Sequence, residues 1–172
     1  MTPRRPWRKG PTGQNDMQPA NERQIRRAIA ADAATIARIV NDAYAIYLPR
    51  MSKPPAPMLE DYAEVVARGD AWVLEQDGAV VGAVVLVEES DHLMLENVAV
   101  APAVKGQGLG RRLVAFAEAE ARRRGFAELR LYTHETMTEN QALYARLGFV
   151  ETHRGTEHGF ARVFMRKRVA PI

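Results

Sequence analysis

The chain of 172 residues has no cysteine. That excludes disulfides, Cys-ligated zinc, iron–sulfur clusters and a thiol nucleophile. It has no apolar run near the roughly 20 residues of a membrane helix. The first thirty residues also lack the short apolar core of a secretory signal. Glycine (12) and proline (10) are too sparse for a low-complexity or collagen-like chain. No G-x-x-x-x-G-K-[ST] run is present, nor a complete G-x-G-x-x-G fingerprint, because Arg111 stands where the last glycine would fall. No cluster with metal-ligand spacing stands out, so no metal is expected. What remains is an ordinary globular composition, 47% hydrophobic and 26% charged, read as a cytoplasmic protein.

The net charge of +3 is unevenly spread. Residues 1–27 hold seven basic groups against Asp16 and Glu22, whereas the remaining 145 residues hold 17 basic and 19 acidic groups. Residues 1–21, rich in Pro, Gly, Arg and Gln, are read as a basic disordered tail, with Met17 as an alternative start, and 22–172 as one domain. A basic tail on a near-neutral domain argues against nucleic acid as a partner; binding through it would fall steeply with salt.

Periodicity orders the elements. Gln24–Ile29 reads as a strand. Asp32 reads as an N-cap, followed by Ile36, Ile39, Val40, Ala43 and Tyr47 at helical spacing. Four prolines make Leu48–Pro57 a loop, and Leu59–Arg68 a second short helix. Strands are expected at Ala71–Glu75 and Val80–Glu88, joined through Asp77-Gly78, and at Leu93–Val100. A helix then runs from the Lys105–Gly110 loop to Gly125. Glu128–Thr133 is a strand. Thr138 opens a helix, with Gln141 completing a capping-box pattern, and that helix stops at Gly148. Phe149–His153 and Arg162–Lys167 close the chain as strands. Terminal hairpins with helical crossovers between them predict a mixed sheet covered by helices.

Two stretches carry chemistry. In the first, an apolar strand runs through Gly106, Gly108 and Gly110 directly into a helix, beside Lys105, Arg111 and Arg112. Glycines allow close backbone approach, and the first N–H groups of the helix point at whatever lies there, so the stretch reads as a phosphate site. A plain tight turn is the competing reading. In the second, Asn140 and Tyr144 stand four apart on one helix face, beside Leu143 and Leu147.

Together these stretches resemble the GNAT superfamily of acyl-CoA-dependent N-acetyltransferases over roughly Gln24–Arg168. Its pyrophosphate motif [Q/R]-x-x-G-x-[G/A] appears as Lys105-Gly-Gln-Gly108-Leu-Gly110, with Lys in place of Gln or Arg, and its second motif as Asn140, Tyr144, Gly148 and Phe149. The resemblance implies a GNAT-like α/β (α+β) fold: a central mixed, mostly antiparallel twisted sheet of about seven strands, with about four helices on its faces. It implies acetyl-CoA as co-substrate, with backbone groups of Val98, Ala99 and Val100 pairing with the pantetheine arm. Lys105, Gly106, Gln107, Gly108, Leu109, Gly110 and Arg111 would cradle the pyrophosphate, Asn140 would touch the cofactor arm, and the Tyr144 hydroxyl would lie near the thioester sulfur.

Three tasks follow for acetyl transfer to an amine. The Val98 N–H is a candidate oxyanion donor. Tyr144, a phenol of ordinary pKa about 10, can protonate a thiolate of about 8.5. Glu96 is the first candidate base; strand alternation would place it with Met94, Val98 and Val100 on one face. His134 and Glu135 are the alternatives, and a structural ion pair is the competing reading of Glu96. The acceptor groove is expected between the first two helices and the last hairpin. Tyr44 and Tyr47 are candidate substrate-binding residues, near Arg50, Met51 and Lys53, with Arg154, His158 and Arg162 around the hairpin. An aromatic pocket with a cation nearby fits a small molecule bearing a carboxylate or an aromatic group, but a peptide amine stays open. A non-catalytic acyl-CoA-binding regulatory module is the other functional class; it would not need Tyr144. A homodimer is compatible with this size, and no sequence feature decides it.

Overall fold

A computed structural model describes residues 22–170. The expected tail and the alternative start at Met17 lie outside these residues. The elements are strand β1 (Arg23–Arg27), helices α1 (Ala33–Tyr44) and α2 (Tyr62–Arg68), strands β2 (Ala71–Gln76), β3 (Ala79–Glu88) and β4 (Leu93–Val100), helix α3 (Leu109–Arg123), strand β5 (Glu128–His134), helix α4 (Thr138–Arg146), and strands β6 (Val150–Glu157) and β7 (Phe160–Arg168). Short 3-10 turns at Ala45–Arg50 and Ala56–Leu59 organise the proline-rich connector between α1 and α2, and another at Ala30–Asp32 leads into α1.

The strands form one sheet in the order β1-β2-β3-β4-β5-β7-β6. Every pairing is antiparallel except β4 with β5. Each face has its own core. Leu74, Leu86, Leu93, Leu113 and Leu129, all fully buried, join α3 to one face. Ile36, Val40, Val65 and Val73 join α1 and α2 to the other. Burying each such side chain contributes about 1.5–3 kcal/mol, so the sheet needs no staple. Asp77 and Gly78 both take the left-handed conformation that a two-residue hairpin requires.

Local chemistry departs from expectation in two places. Asp32 does not cap α1 through its side chain; its carboxylate accepts the Ile29 N–H at 2.8 Å and a fork from Arg26 at 2.8 and 3.1 Å, capping the turn before the helix. Thr138 is the first helical residue rather than the cap of α4, and no capping box forms there. Gln141 instead donates through Nε2 to the carbonyls of His134 and Glu135, tying α4 to the end of β5.

Candidate active site at the splay of β4 and β5

The parallel pairing of β4 with β5 covers only Leu93–Leu95 against Leu129–Leu131. Beyond it β5 stays on β7 as far as His134, while β4 stays on β3 as far as Val100. The two central strands therefore part, and the β4 edge after Leu95 has no strand partner. The Ala101 N–H donates to Val81 O at 2.8 Å. By the alternation of an antiparallel ladder, Ala99 likewise turns its backbone groups toward β3, while Val98 and Val100 turn theirs to the open edge.

A bulge sets the side chains. Val85 faces Asn97 but Leu86 faces Leu95, which leaves Glu96 as an extra residue. Simple alternation fails here. Leu93 and Leu95, and after the bulge Val98 and Val100, pack on the α3 side, whereas Asn97 and Ala99 lie on the α1 side. Glu96 therefore does not share a face with Val98; it opens on the α1 side, beside Asn97, Tyr62 and Tyr132.

At the end of β4 the chain enters the glycine-rich turn. Gly106 and Gly108 adopt φ of 87° and 74°, a conformation that costs other residues roughly 1–2 kcal/mol. Lys105, Gly106, Gln107 and Gly108 are exposed, and Leu109 turns into the core. The N–H groups of Gly106 through Arg111 take no acceptor among the described residues, so six donors converge at the start of α3. Arg111 and Lys105 flank them, exposed. Arg23 of β1, which sequence reasoning did not single out, donates to the Gln107 side chain at 3.1 Å and adds a cation from across the sheet edge. This is the donor set an extended pyrophosphate needs, and the open edge of β4 leads straight into it.

On the α1 side a cleft of about 500 Å³, counted to its open mouth, is lined by Tyr44, Glu96, Asn97, Tyr132, His134, Asn140, Tyr144 and Arg162, with apolar walls from Met51, Pro55 and Phe160. Tyr144 of α4 is buried in edge-on contact with Phe149, and burial pushes its pKa up to about 12. Glu96 hydrogen-bonds to none of the described residues, and burial, with Glu60 second, raises its pKa. The Thr136 N–H donates to Nδ1 of His134, which also lies 2.8 Å from the Thr136 hydroxyl, and burial lowers this pKa. The ring is thus neutral at pH 7 with its proton on Nε2. Glu135 and Arg154 are exposed and do not line the cleft, and the His158 side chain sits on the turn between β6 and β7.

The candidate substrate residues Tyr44 and Tyr47 are both buried. The Tyr44 hydroxyl donates to Asn97 Oδ1 at 2.9 Å, Asn97 Nδ2 donates to the Tyr62 hydroxyl at 2.9 Å, and Tyr62 donates to Pro57 O at 2.6 Å. Tyr47 lies off the cleft lining and donates to Asn140 Oδ1 at 3.2 Å. Asn97, Tyr62 and Tyr132 carried no local signal of a shared site, because their partners lie on separate elements. Among the described residues no group of three or more His, Asp or Glu is placed to hold a metal, and no helix is long and apolar enough to cross a membrane.

Comparison with known proteins bears on this geometry. The sequence profile of the Acetyltransferase (GNAT) family matches residues 36–149. The chain is 34% identical over 134 residues to the uncharacterized N-acetyltransferase YjgM of Escherichia coli (strain K12), a match covering 73% of this chain and 80% of that one. Its fold is similar to that of the paiA N-acetyltransferase of Thermoplasma acidophilum in complex with coenzyme A, at TM-score 0.73 and 17% identity, over 86% of this chain and 99% of that one. It is also similar to yncA of Salmonella typhimurium with its cofactor acetyl-CoA, at TM-score 0.66 and 25% identity, over 88% and 96%.

Proposed function

The chain belongs to the GNAT family of acetyltransferases, and from that premise we propose that it transfers an acetyl group from acetyl-CoA to the primary amine of a small molecule or peptide by direct attack. The observation that carries the reading is the meeting, at one splay, of an unpaired strand edge, six unpaired N–H groups and a cleft holding a desolvated carboxylate and a buried phenol. The N–H groups from Gly106 to Arg111 hold the pyrophosphate, and the outward groups of Val98 and Val100 hold the pantetheine arm as an added strand. Asn140 and Tyr144, both on the cleft wall, stand where that arm ends.

Acetyl-CoA supplies an activated thioester carbonyl. Glu96 takes a proton from the acceptor ammonium, and its raised pKa suits a base working near neutrality. The C–N bond forms as the C–S bond breaks; the nitrogen then sheds its second proton to solvent, and Glu96 passes the first to solvent. The Val98 N–H, on the open edge, donates to the developing oxyanion. Tyr144 gives its proton to the departing sulfur and is reprotonated from solvent; with its pKa near 12 it is fully protonated beforehand. His134 presents an N–H rather than a lone pair to the cleft, which favours Glu96 as the base.

The test begins with thermal unfolding. Acetyl-CoA at 100 times its Kd adds about 2.7 kcal/mol, a rise on the order of 5–10 °C, whereas adenosine gives none. Amines are then screened for CoA release. A shift without release by any amine would point to a non-catalytic acyl-CoA-binding module, and no shift at millimolar acetyl-CoA would remove the donor assignment.

A further inference from the structure

We propose that the acceptor is a small amine that also carries a carboxylate, and that Arg162 binds this carboxylate while the amine lies at Glu96. The proposal rests on the acetyl-transfer reading above.

Arg162 is a guanidinium only 9% exposed, placed opposite His134 in the β5–β7 ladder and stacked over the Tyr132 ring at 4.0 Å. Its Nη1 donates at 2.9 Å to the carboxylate of Glu157, which is itself half-exposed on the hairpin. Its Nε and other Nη meet no acceptor among the described residues. They are not sealed from solvent either, for the only fully buried side-chain polar atom without a partner there is Nε2 of His92, far along the chain. Arg162 lines the cleft, so its unused donors open on it. Water serves these donors until a ligand with a matching acceptor displaces it. Stacking on an aromatic face leaves the in-plane fork free, and that fork matches a carboxylate.

The rest of the cleft agrees. Glu96 on β4 and Arg162 on β7 line the same cleft two strands apart, with Tyr132 of β5 between them. One end is thus negative and the other positive, the charge order of an aminocarboxylate. Met51, Pro55 and Phe160 supply apolar walls for its side chain, and His134 offers a further N–H. Lys53 ties the α1–α2 connector to the β6–β7 turn, donating to His158 O at 2.6 Å and lying 3.8 Å from the Phe160 ring centroid. This bridge joins two loops whose neighbouring residues, Pro55 and Phe160, line the cleft.

The experiment compares CoA release at saturating acetyl-CoA for matched sets: α- and ω-amino acids, their amides and the corresponding decarboxylated amines, with aromatic, aliphatic and thioether side chains. At least one amino acid is expected to exceed both neutral partners tenfold or more in kcat/KM, chiefly through KM. Arg162→Gln should collapse that ratio toward one, and Arg162→Lys should restore part of it. The acetyl-CoA thermal shift, measured on each variant, reports that fold and donor site are intact. If no amino acid outperforms its neutral partners while wild type keeps the shift, the carboxylate proposal is overturned alone. Loss of the shift in wild type overturns the donor reading and this proposal with it. A fall of equal size for charged and neutral acceptors in Arg162→Gln assigns Arg162 to the fold and overturns its role here.

Discussion

Glu96 serves two opposed ends. As an unpartnered, largely desolvated carboxylate it binds its proton more tightly in the folded chain than in the unfolded one. Its charge therefore costs stability once pH rises above the ordinary carboxylate range, and the full cost is present above its raised folded pKa. Glu96→Gln should lower kcat/KM by a hundredfold or more and yet raise Tm at pH 7–8. That gain should vanish below about pH 4.5, where both states are protonated. The acid limb of the wild-type rate profile should fall above the ordinary carboxylate range and disappear in the variant; parallel melting curves at pH 4 and pH 8 would contradict this. Tyr144 makes the complementary case. Tyr144→Phe should cut kcat roughly 10²-fold or more while leaving acetyl-CoA affinity within about twofold, read by titration. An unchanged kcat would remove the phenol from the chemistry.

At the scale of the element, the first turn of α3 separates folding from binding. Gly110 is helical, and a Cβ there would meet nothing nearer than Val100 Cγ2 at 3.9 Å. Gly110→Ala should stabilise the helix by about 0.5–1 kcal/mol. The pyrophosphate motif takes glycine or alanine at this position, so the acetyl-CoA thermal shift should persist in this more stable protein. A shift lost while the fold is kept would mean that the cradle needs this position bare. This turn was legible in sequence because its chemistry is contiguous: glycine spacing, a preceding strand and flanking cations. Strand β4 was legible to its ends, as were the Asp77-Gly78 turn and the stop at Gly125. The bulge at Glu96 was not, because one extra residue in an apolar strand leaves no compositional mark. Asp32 and Gln141 misled because their partners, Arg26 and the β5 carbonyls, become neighbours only when the sheet forms. Arg162 shows in the sequence as one basic residue among several on a hairpin; only the ring of Tyr132 and the idle donors set it apart.

At the scale of the molecule, the sheet is two halves, β1–β4 and β5–β7, joined by three residue pairs. A ligand laid along the open edge of β4 extends that seam. Hydrogen exchange should therefore slow on acetyl-CoA binding at the amides of Val98 and Val100 as well as in the first turn of α3. Protection confined to the turn would argue against an added strand. The relay from Tyr44 through Asn97 and Tyr62 to Pro57 spans this architecture and has a polarity. Each phenol has one proton to give, and only an amide at position 97 accepts on one side while donating on the other. Aspartate has the same outline but would accept from both phenols, and Tyr62 would have to release the Pro57 carbonyl. A change of one atom group in the middle of the sheet would thus surface at its rim, as a slackened wall of the cleft. Asn97→Asp should blunt discrimination among amines, read as ratios of kcat/KM, more than it lowers the melting temperature.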